Sequence, residues 1–260
     1  MKPDVHHQID RTRTSISSGG GLSASISFYT PMAHQPPHAH ALPSISVLLS
    51  GRLREEAGRA EVSVHEGAVC LKPEGLRHCN LYGPEGAAIL SIAIEDAQPW
   101  KHLAPCDWHW SQPRSNRFDG LLRLLRNEAP GFSSGDALIE LLAISRGAEA
   151  REGVPPLWLR RLRMRLDDDP NVSLGMLAAD AEVHPVYLSR AFASWYGTNP
   201  SAYRSRRRVS KVIHLCLTGS AGSAAAHEAG FADQSHMLKS VSRWTGYSLP
   251  ALRKLHGLSR

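Results

Sequence analysis

No stretch of about 18 consecutive apolar residues, the length a bilayer-crossing helix needs, occurs anywhere in the 260 residues. Met1 to Gly21 is rich in His, Ser and Gly and holds no hydrophobic segment of the kind a secretory signal requires. The four cysteines, Cys70, Cys79, Cys106 and Cys216, form no CxxC pair and are too few to staple a chain long enough to build its own core. No Ser/His/Asp or Cys/His arrangement suggests an activated nucleophile, and there is no glycine-rich loop of the phosphate-cradling type. These absences point away from a membrane partner, a secreted disulfide scaffold and nucleophilic catalysis. A cytoplasmic protein that is not an enzyme is expected.

What is present is an ordinary globular composition, 42% hydrophobic and 21% charged, in a chain of about one and a half to two average domains. The charge of +6 is unevenly divided. Residues 1–154 carry 15 Lys+Arg against 17 Asp+Glu, a net of −2, whereas residues 155–260 carry 15 against 7, a net of +8. All the positive excess lies on one side, which suggests that this side meets a polyanion while the other does something different. A solvated basic surface with no partner would give the same count.

Along the chain, residues 1–21 read as a loose polar tail ending in Gly19-Gly20-Gly21. Short apolar stretches follow at Leu22–Tyr29, Ile45–Leu49, Glu61–Val64, Ala68–Leu71 and Ala87–Ile94, separated by Ser50-Gly51, Gly58, Glu66-Gly67, Pro73-Glu74-Gly75 and Gly83-Pro84-Glu85-Gly86. Strands of this length between such turns indicate an antiparallel sandwich or barrel. Residues 100–150 form a Trp- and Pro-bearing connector and a helical hairpin, with Phe118, Leu121, Leu122, Leu124 and Leu125 on one helix and Leu138, Ile139, Leu141 and Leu142 on the next. The surplus apolar face of this hairpin either caps the β half or pairs with a second copy of the chain, and we favour pairing. A linker at 146–156 separates the halves.

Beyond it everything reads as helix: a segment from Pro156 through Leu166, then Leu174–Ala181, Pro185–Tyr196, Ser201–Leu217, Ser223–Ala229, Gln234–Thr245 and Leu249–Leu255. Two parts repeat one plan, a short helix, a break of about three residues and a longer helix, which is the arithmetic of a helix-turn-helix. Small residues in each first helix (Ala178, Ala181; Ala226, Ala229) admit a close neighbour, and Leu188 with Phe192, or Met237 with Val241, hold the second helix down. The 17 residues between the copies span about 25 Å as a helix. Together with the width of the modules, that spacer sets two reading helices into successive major grooves, which repeat every ~34 Å. Arg204, Arg206, Arg207, Arg208 and Lys211 at the start of this spacer are candidates for phosphate contacts.

Residues 157–260 resemble the DNA-binding domain of AraC/XylS-family transcription regulators. Leu177-Ala178, Tyr187-Leu188-Ser189-Arg190, Phe192, Gly197, Pro200, Tyr203 and Arg207 carry the likeness in the first part. Ala226, Gly230-Phe231, Asp233-Gln234-Ser235, Gly246, Pro250 and Arg253 carry it in the second. The resemblance implies recognition helices at Pro185–Tyr196 and Gln234–Thr245, with Val186, Ser189, Arg190, Gln234, Ser235, His236 and Lys239 facing the bases. Some positions depart from the family pattern. Glu182 stands where Gly is usual, at ~1 kcal/mol if that residue takes positive φ, and His184 where a capping Ser is usual. Met237 and Val241 replace larger aromatics, which implies a looser second core, and Ile213 replaces a common Ala.

In the β half, His38-Ala-His40 precedes Ile45–Leu49, and Gly67, Pro73, Gly75 and His78 follow with the spacing G-x5-P-x-G-x2-H. These resemble the two cupin motifs and imply a small cupin barrel over residues 22–99. In metal-binding cupins three histidines and a glutamate converge; His38, His40 and His78 match, but the expected glutamate falls on Ser44 or Ile45. Three imidazoles still suit Zn²⁺ or a similar divalent ion with an open position. Alternatively they line a pocket and hydrogen-bond an organic effector.

The expected fold is therefore multidomain, β followed by α: a cupin-like β-barrel with a helical hairpin, then an all-α domain with two helix-turn-helix motifs. The expected function is sequence-specific regulation of transcription, with double-stranded DNA, a small-molecule effector and, for an activator, RNA polymerase as partners. A cupin-type metalloenzyme fused to a DNA-binding domain is the alternative, and the missing glutamate argues against it.

Overall fold

A computed structural model describes residues 11–19, 21–95, 104–105, 107–111 and 154–257. The expected helical hairpin at 118–145, with the pairing assigned to it, lies outside them. Among the described residues eight strands form one antiparallel sheet: β1 (Arg11–Gly19), β2 (Leu22–Tyr29), β3 (His34–His38), β4 (Ser44–Ala57), β5 (Ala60–His65), β6 (Val69–Lys72), β7 (His78–Ile94) and β8 (His109–Ser111). The long strands β4 and β7 run side by side through its centre and serve two neighbourhoods. At one end they are flanked by β2 and β1 on the β7 side and by β6 and β8 on the β4 side. At the other end β3 joins β7 and β5 joins β4.

Three sequence expectations are corrected here. Ser50-Gly51 and Gly83–Gly86 do not end strands. The β4–β7 register shifts at Leu48/Ser50 and again at Gly51/Leu53, so the ladder bends and continues. Gly51 sits at φ +87°, and a Cβ there would lie 2.0 Å from the Gly86 carbonyl oxygen, so only glycine lets the two backbones approach at the bend. Residues 11–19 of the expected tail are an edge strand paired with β2. Residues 109–111 of the expected connector pair with β6.

Alternation along the strands gives this end of the sheet two different faces. Leu22, Ala24, Ile26 and Phe28 of β2, Ile45 and Val47 of β4, and Leu90, Ile92 and Ile94 of β7 form an apolar outer face. Ser25, Ser27, Ser44, Ser46 and Ser91 point the other way, toward an internal cavity.

Seven helices follow among the described residues: α1 (Leu157–Asp168), α2 (Leu174–Asp180), α3 (Pro185–Tyr196), α4 (Pro200–Leu217), α5 (Gly222–Glu228), α6 (Gln234–Thr245) and α7 (Leu249–Leu255). Their ends are written in the sequence. Side chains of Ser173, Asn199, Asp233 and Ser248 accept the N–H groups of Met176, Ala202, His236 and Ala251. Gly197 and Gly246 close α3 and α6 in the left-handed conformation.

The first module has its own core, including Leu159, Leu166, Leu188, Phe192 and Tyr203. The second does not stand alone. Val209, Val212 and Ile213 of α4, with Met237, Val241 and Leu252, belong to the same buried cluster as the outer face of the sheet. Met237 and Val241 are fully buried in it.

Candidate nucleic-acid interface and ligand cavity

Each helix-turn-helix presents one face of its second helix to solvent. In α3, Leu188, Phe192 and Tyr196 are buried, while Val186 and Arg190 are exposed and Ser189 is half-exposed. In α6, Met237, Ser240 and Val241 are buried, and Gln234, Ser235, His236 and Lys239 are all exposed. The seven residues implied by the family resemblance therefore lie on accessible surface. The first turn accommodates both of its departures. Glu182 does adopt the left-handed conformation, at φ +52°, and His184 replaces the usual cap, its Nδ1 accepting the Val186 N–H at 3.3 Å. The modules also touch: a Cβ on Gly230 would lie 2.0 Å from Asn171 Oδ1, so the second turn closes directly onto the first module.

The basic run of α4 is placed otherwise than its composition suggests. Arg206 and Arg207, expected on DNA phosphates, are buried against the β half, and that assignment is corrected. The Arg207 guanidinium meets Glu85 at 2.6 Å, Glu66 at 3.4 Å and Asp167 at 3.3 Å. Arg206 donates to the Glu66 carbonyl at 3.3 Å and lies over the Trp244 ring, 4.7 Å from its centroid. Arg204 donates to the Val172 carbonyl at 2.7 Å, and Lys211 to the Glu228 carbonyl at 3.0 Å; both keep partial exposure, as does Arg208. Further ties cross the boundary. Gly51 N–H donates to Ser210 Oγ at 3.0 Å, Thr14 Oγ1 donates to the Leu255 carbonyl at 2.6 Å, and His65 packs edge-on against Tyr203.

The cavity inside the sheet has a volume of about 230 Å³. His40 and His78 line it and His38 stands beside them, with one ring nitrogen of each within 4.8 Å of the others. His38 and His78 each place Nδ1 against a backbone carbonyl, Pro36 at 2.9 Å and Leu76 at 3.0 Å, which fixes the tautomer that leaves Nε2 as acceptor. Burial, reinforced by the Lys72 ammonium, pushes His40 down to about 4 and His78 down to about 3; burial also lowers His38. All three are neutral near pH 7, the form in which imidazole binds a metal or accepts a hydrogen bond. No glutamate joins them among the described residues. The carboxylate lining the cavity, Glu55, is bound to Lys72 Nζ at 3.1 Å and to Trp108 Nε1 at 2.8 Å.

The imidazoles are legible in the sequence, whereas Arg11 and Arg13 of β1, the Lys72–Glu55 pair and the five serines of this wall are not. One signal was available. The spacing Ser23, Ser25, Ser27 in Leu22–Tyr29 marks a strand whose second face is polar rather than solvent-charged.

Residues 177–255 match a family of helix-turn-helix domains. No curated protein sequence matches the chain. Among solved structures, ToxT from Vibrio cholerae O395 is similar over 93% of this chain and 99% of its own, at 12% identity and a TM-score of 0.40. The C-terminal domain of AraT, a response regulator from Geobacillus stearothermophilus, is similar over 39% of this chain and 88% of its own, at 22% identity and a TM-score of 0.37. KdgF from a Halomonas species is similar over 34% of this chain and 83% of its own, at 17% identity and a TM-score of 0.30.

Proposed function

We propose that this chain, whose residues 177–255 match a family of helix-turn-helix domains, is a transcription regulator of the AraC type that reads duplex DNA through α3 and α6 and senses a small molecule or metal in the β cavity. One observation carries this. Both second helices bury one face and leave the other accessible, so six polar side chains and Val186 stand ready on accessible surface. Their chemistry suits base edges: Arg190 forks onto guanine O6/N7, Gln234 pairs with adenine, Val186 touches a thymine methyl, and Ser189, Ser235, His236 and Lys239 complete the set. Arg204, Arg208 and Lys211, still partly exposed, are left to serve the phosphates.

In the cavity, His38, His40 and His78 would hold zinc or a similar divalent ion, for which His38 Nε2 would give up the Gln35 amide N–H that it accepts at 2.8 Å. The convergent neutral imidazoles and the buried, unpartnered Nε2 of His78 fit such an ion. When bound, it would supply a Lewis-acid anchor for an oxygen donor. The sensor reading is favoured over a metalloenzyme because Glu55 is tied up by Lys72 and Trp108, which leaves the imidazoles no carboxylate to act as an acid/base partner among the lining residues.

Coupling has a short route. Ser46 and Ser91 face the cavity, whereas their chain neighbours Ile45 and Ile92 belong to the core shared with α4. One sheet thickness separates ligand from DNA-binding domain, and an effector that binds one arrangement of the two better than another shifts the balance by that difference. For an activator the output partner is RNA polymerase.

Selection of the full chain against a pool of randomised duplexes tests the proposal. Enrichment of a motif with two contact regions about one helical turn apart is expected; a pool that stays random sinks it. For the metal, purified protein is compared with a His38→Ala, His78→Ala variant, and equal zinc content in both would exclude the triad.

A further inference from the structure

The cavity wall specifies a ligand chemistry beyond the presence of an effector. Its charges do not balance. Among the described lining residues, Arg11, Arg13 and Lys72 face it with one carboxylate, Glu55, and that carboxylate is consumed by Lys72 and by the Trp108 N–H. Arg13 donates through Nε to Ser25 Oγ at 3.2 Å, which holds its guanidinium over the serine wall. Arg11 and Arg13 of β1 thus stand at the solvent-exposed rim of the cavity and meet no carboxylate among its described lining residues.

The hydrogen-bonding groups are unbalanced in the same direction. Trp110 Nε1 and His78 Nε2 are buried polar atoms of lining residues with no partner among the described residues. The indole N–H can only donate, so its missing partner is an oxygen-like acceptor. Ser25, Ser27, Ser44, Ser46 and Ser91 add hydroxyls that both donate and accept, with Ser46 and Ser91 already 2.9 Å apart.

A purely apolar acid would strand these hydroxyls, and a neutral polyol would forgo the charge-assisted, bidentate bonds that the two rim guanidiniums offer a carboxylate. The volume, about 230 Å³, falls below the roughly 300–1,000 Å³ of drug-sized sites and limits the occupant to a short chain. We propose that the cavity binds a small hydroxylated carboxylate, its carboxylate held by Arg11 and Arg13 and its hydroxyls by the serine wall and the Trp110 N–H. This rests on the reading of the cavity as the effector site.

Matched pairs test it: gluconate against sorbitol and glycerate against glycerol, titrated calorimetrically into the full chain with and without zinc. At least one acid binds, and its neutral counterpart binds at least tenfold more weakly. In an Arg11→Ala, Arg13→Ala variant, checked for native circular dichroism, the acid falls to the level of the polyol. Ser46→Ala weakens acid and polyol by the same factor. A polyol that binds as well as its acid, an arginine variant that keeps the preference, or no binding by any acid overturns the proposal. Failure of the parent reading looks different: an acid that binds with these preferences but leaves duplex affinity unchanged keeps the ligand class and removes the effector role.

Discussion

Arg207, on the helix that joins the two DNA-binding modules, donates to Glu85 of the β half at 2.6 Å across the domain boundary, with a side chain that is 1% exposed. The same guanidinium reaches Glu66 and Asp167, so one cation neutralises three carboxylates drawn from both halves. A buried pair adds little net stability over an apolar substitute, but deleting one partner strands the other without its counter-charge. Arg207→Ala is therefore expected to cost ~3–5 kcal/mol and to uncouple the halves, splitting one calorimetric unfolding transition into two. A single transition at the unchanged temperature would mean that the cluster does not join the domains.

Arg190 and Arg206 carry the same charge and should behave as opposites. Exposed Arg190, on the face assigned to bases, should cost ~1–3 kcal/mol on the selected duplex when changed to Ala and relax preference at one base pair. Arg206, buried over Trp244, should lower the melting temperature on truncation while leaving the salt dependence of DNA binding as it was. Fluorescence anisotropy on specific and random duplexes at several salt concentrations separates the two. A shallower salt slope for Arg206→Ala would return that residue to the phosphates.

This contrast marks where the sequence was legible. Helix boundaries could be read to within a residue or two because capping side chains and left-handed glycines are local signals, as at Asp233 and Gly246. The depth of a charge is not local. Arg207 is neutralised by Glu66 and Glu85, more than a hundred residues earlier in the chain, and nothing near it in sequence distinguishes a buried arginine from a phosphate contact. The β half was misread for a related reason. Gly51 looks like the end of a strand until the backbone that crosses it at Gly86 is known. Strand β1 escaped notice because Ile16 is its one strongly apolar residue and its pairing partner defines it. Of the cavity, the histidines were visible as a spaced motif, whereas the arginines come from a segment that resembled a tail.

Glu182 holds a left-handed backbone, at φ +52°, in the turn before the first recognition helix, and its side chain is exposed. Strain of ~1 kcal/mol is expected for a residue with a Cβ there. Glu182→Gly should raise the melting temperature of the full chain by about 2–4 °C, since a kcal/mol shifts a domain of this size by that much, with DNA affinity unchanged. Lowered stability would show that the glutamate makes a compensating contact in solution.

Acid should loosen the domain boundary through His65. Burial holds its pKa well below the ordinary value, and Arg163 of α1 with Arg206 and Arg207 of α4 further disfavour its cation; Tyr203 of α4 lies against the ring and its Nδ1 faces the Glu66 carbonyl at 3.3 Å. The folded state therefore keeps His65 neutral as pH falls past 6.5, while the unfolded chain takes up the proton. Where the unfolded state binds more protons, stability rises with pH, so the contribution is present above 6.5 and is lost below it at about 1.4 kcal/mol per pH unit. His40 and His78, lowered to about 4 and about 3, add to the same slope. Denaturant melts at pH 7.5, 6.5 and 5.5 in the presence of EDTA should show stability falling most steeply over the last interval. In His65→Gln that fall should be smaller by one proton's worth, and parallel curves for variant and parent would show that the imidazole titrates in the folded state after all.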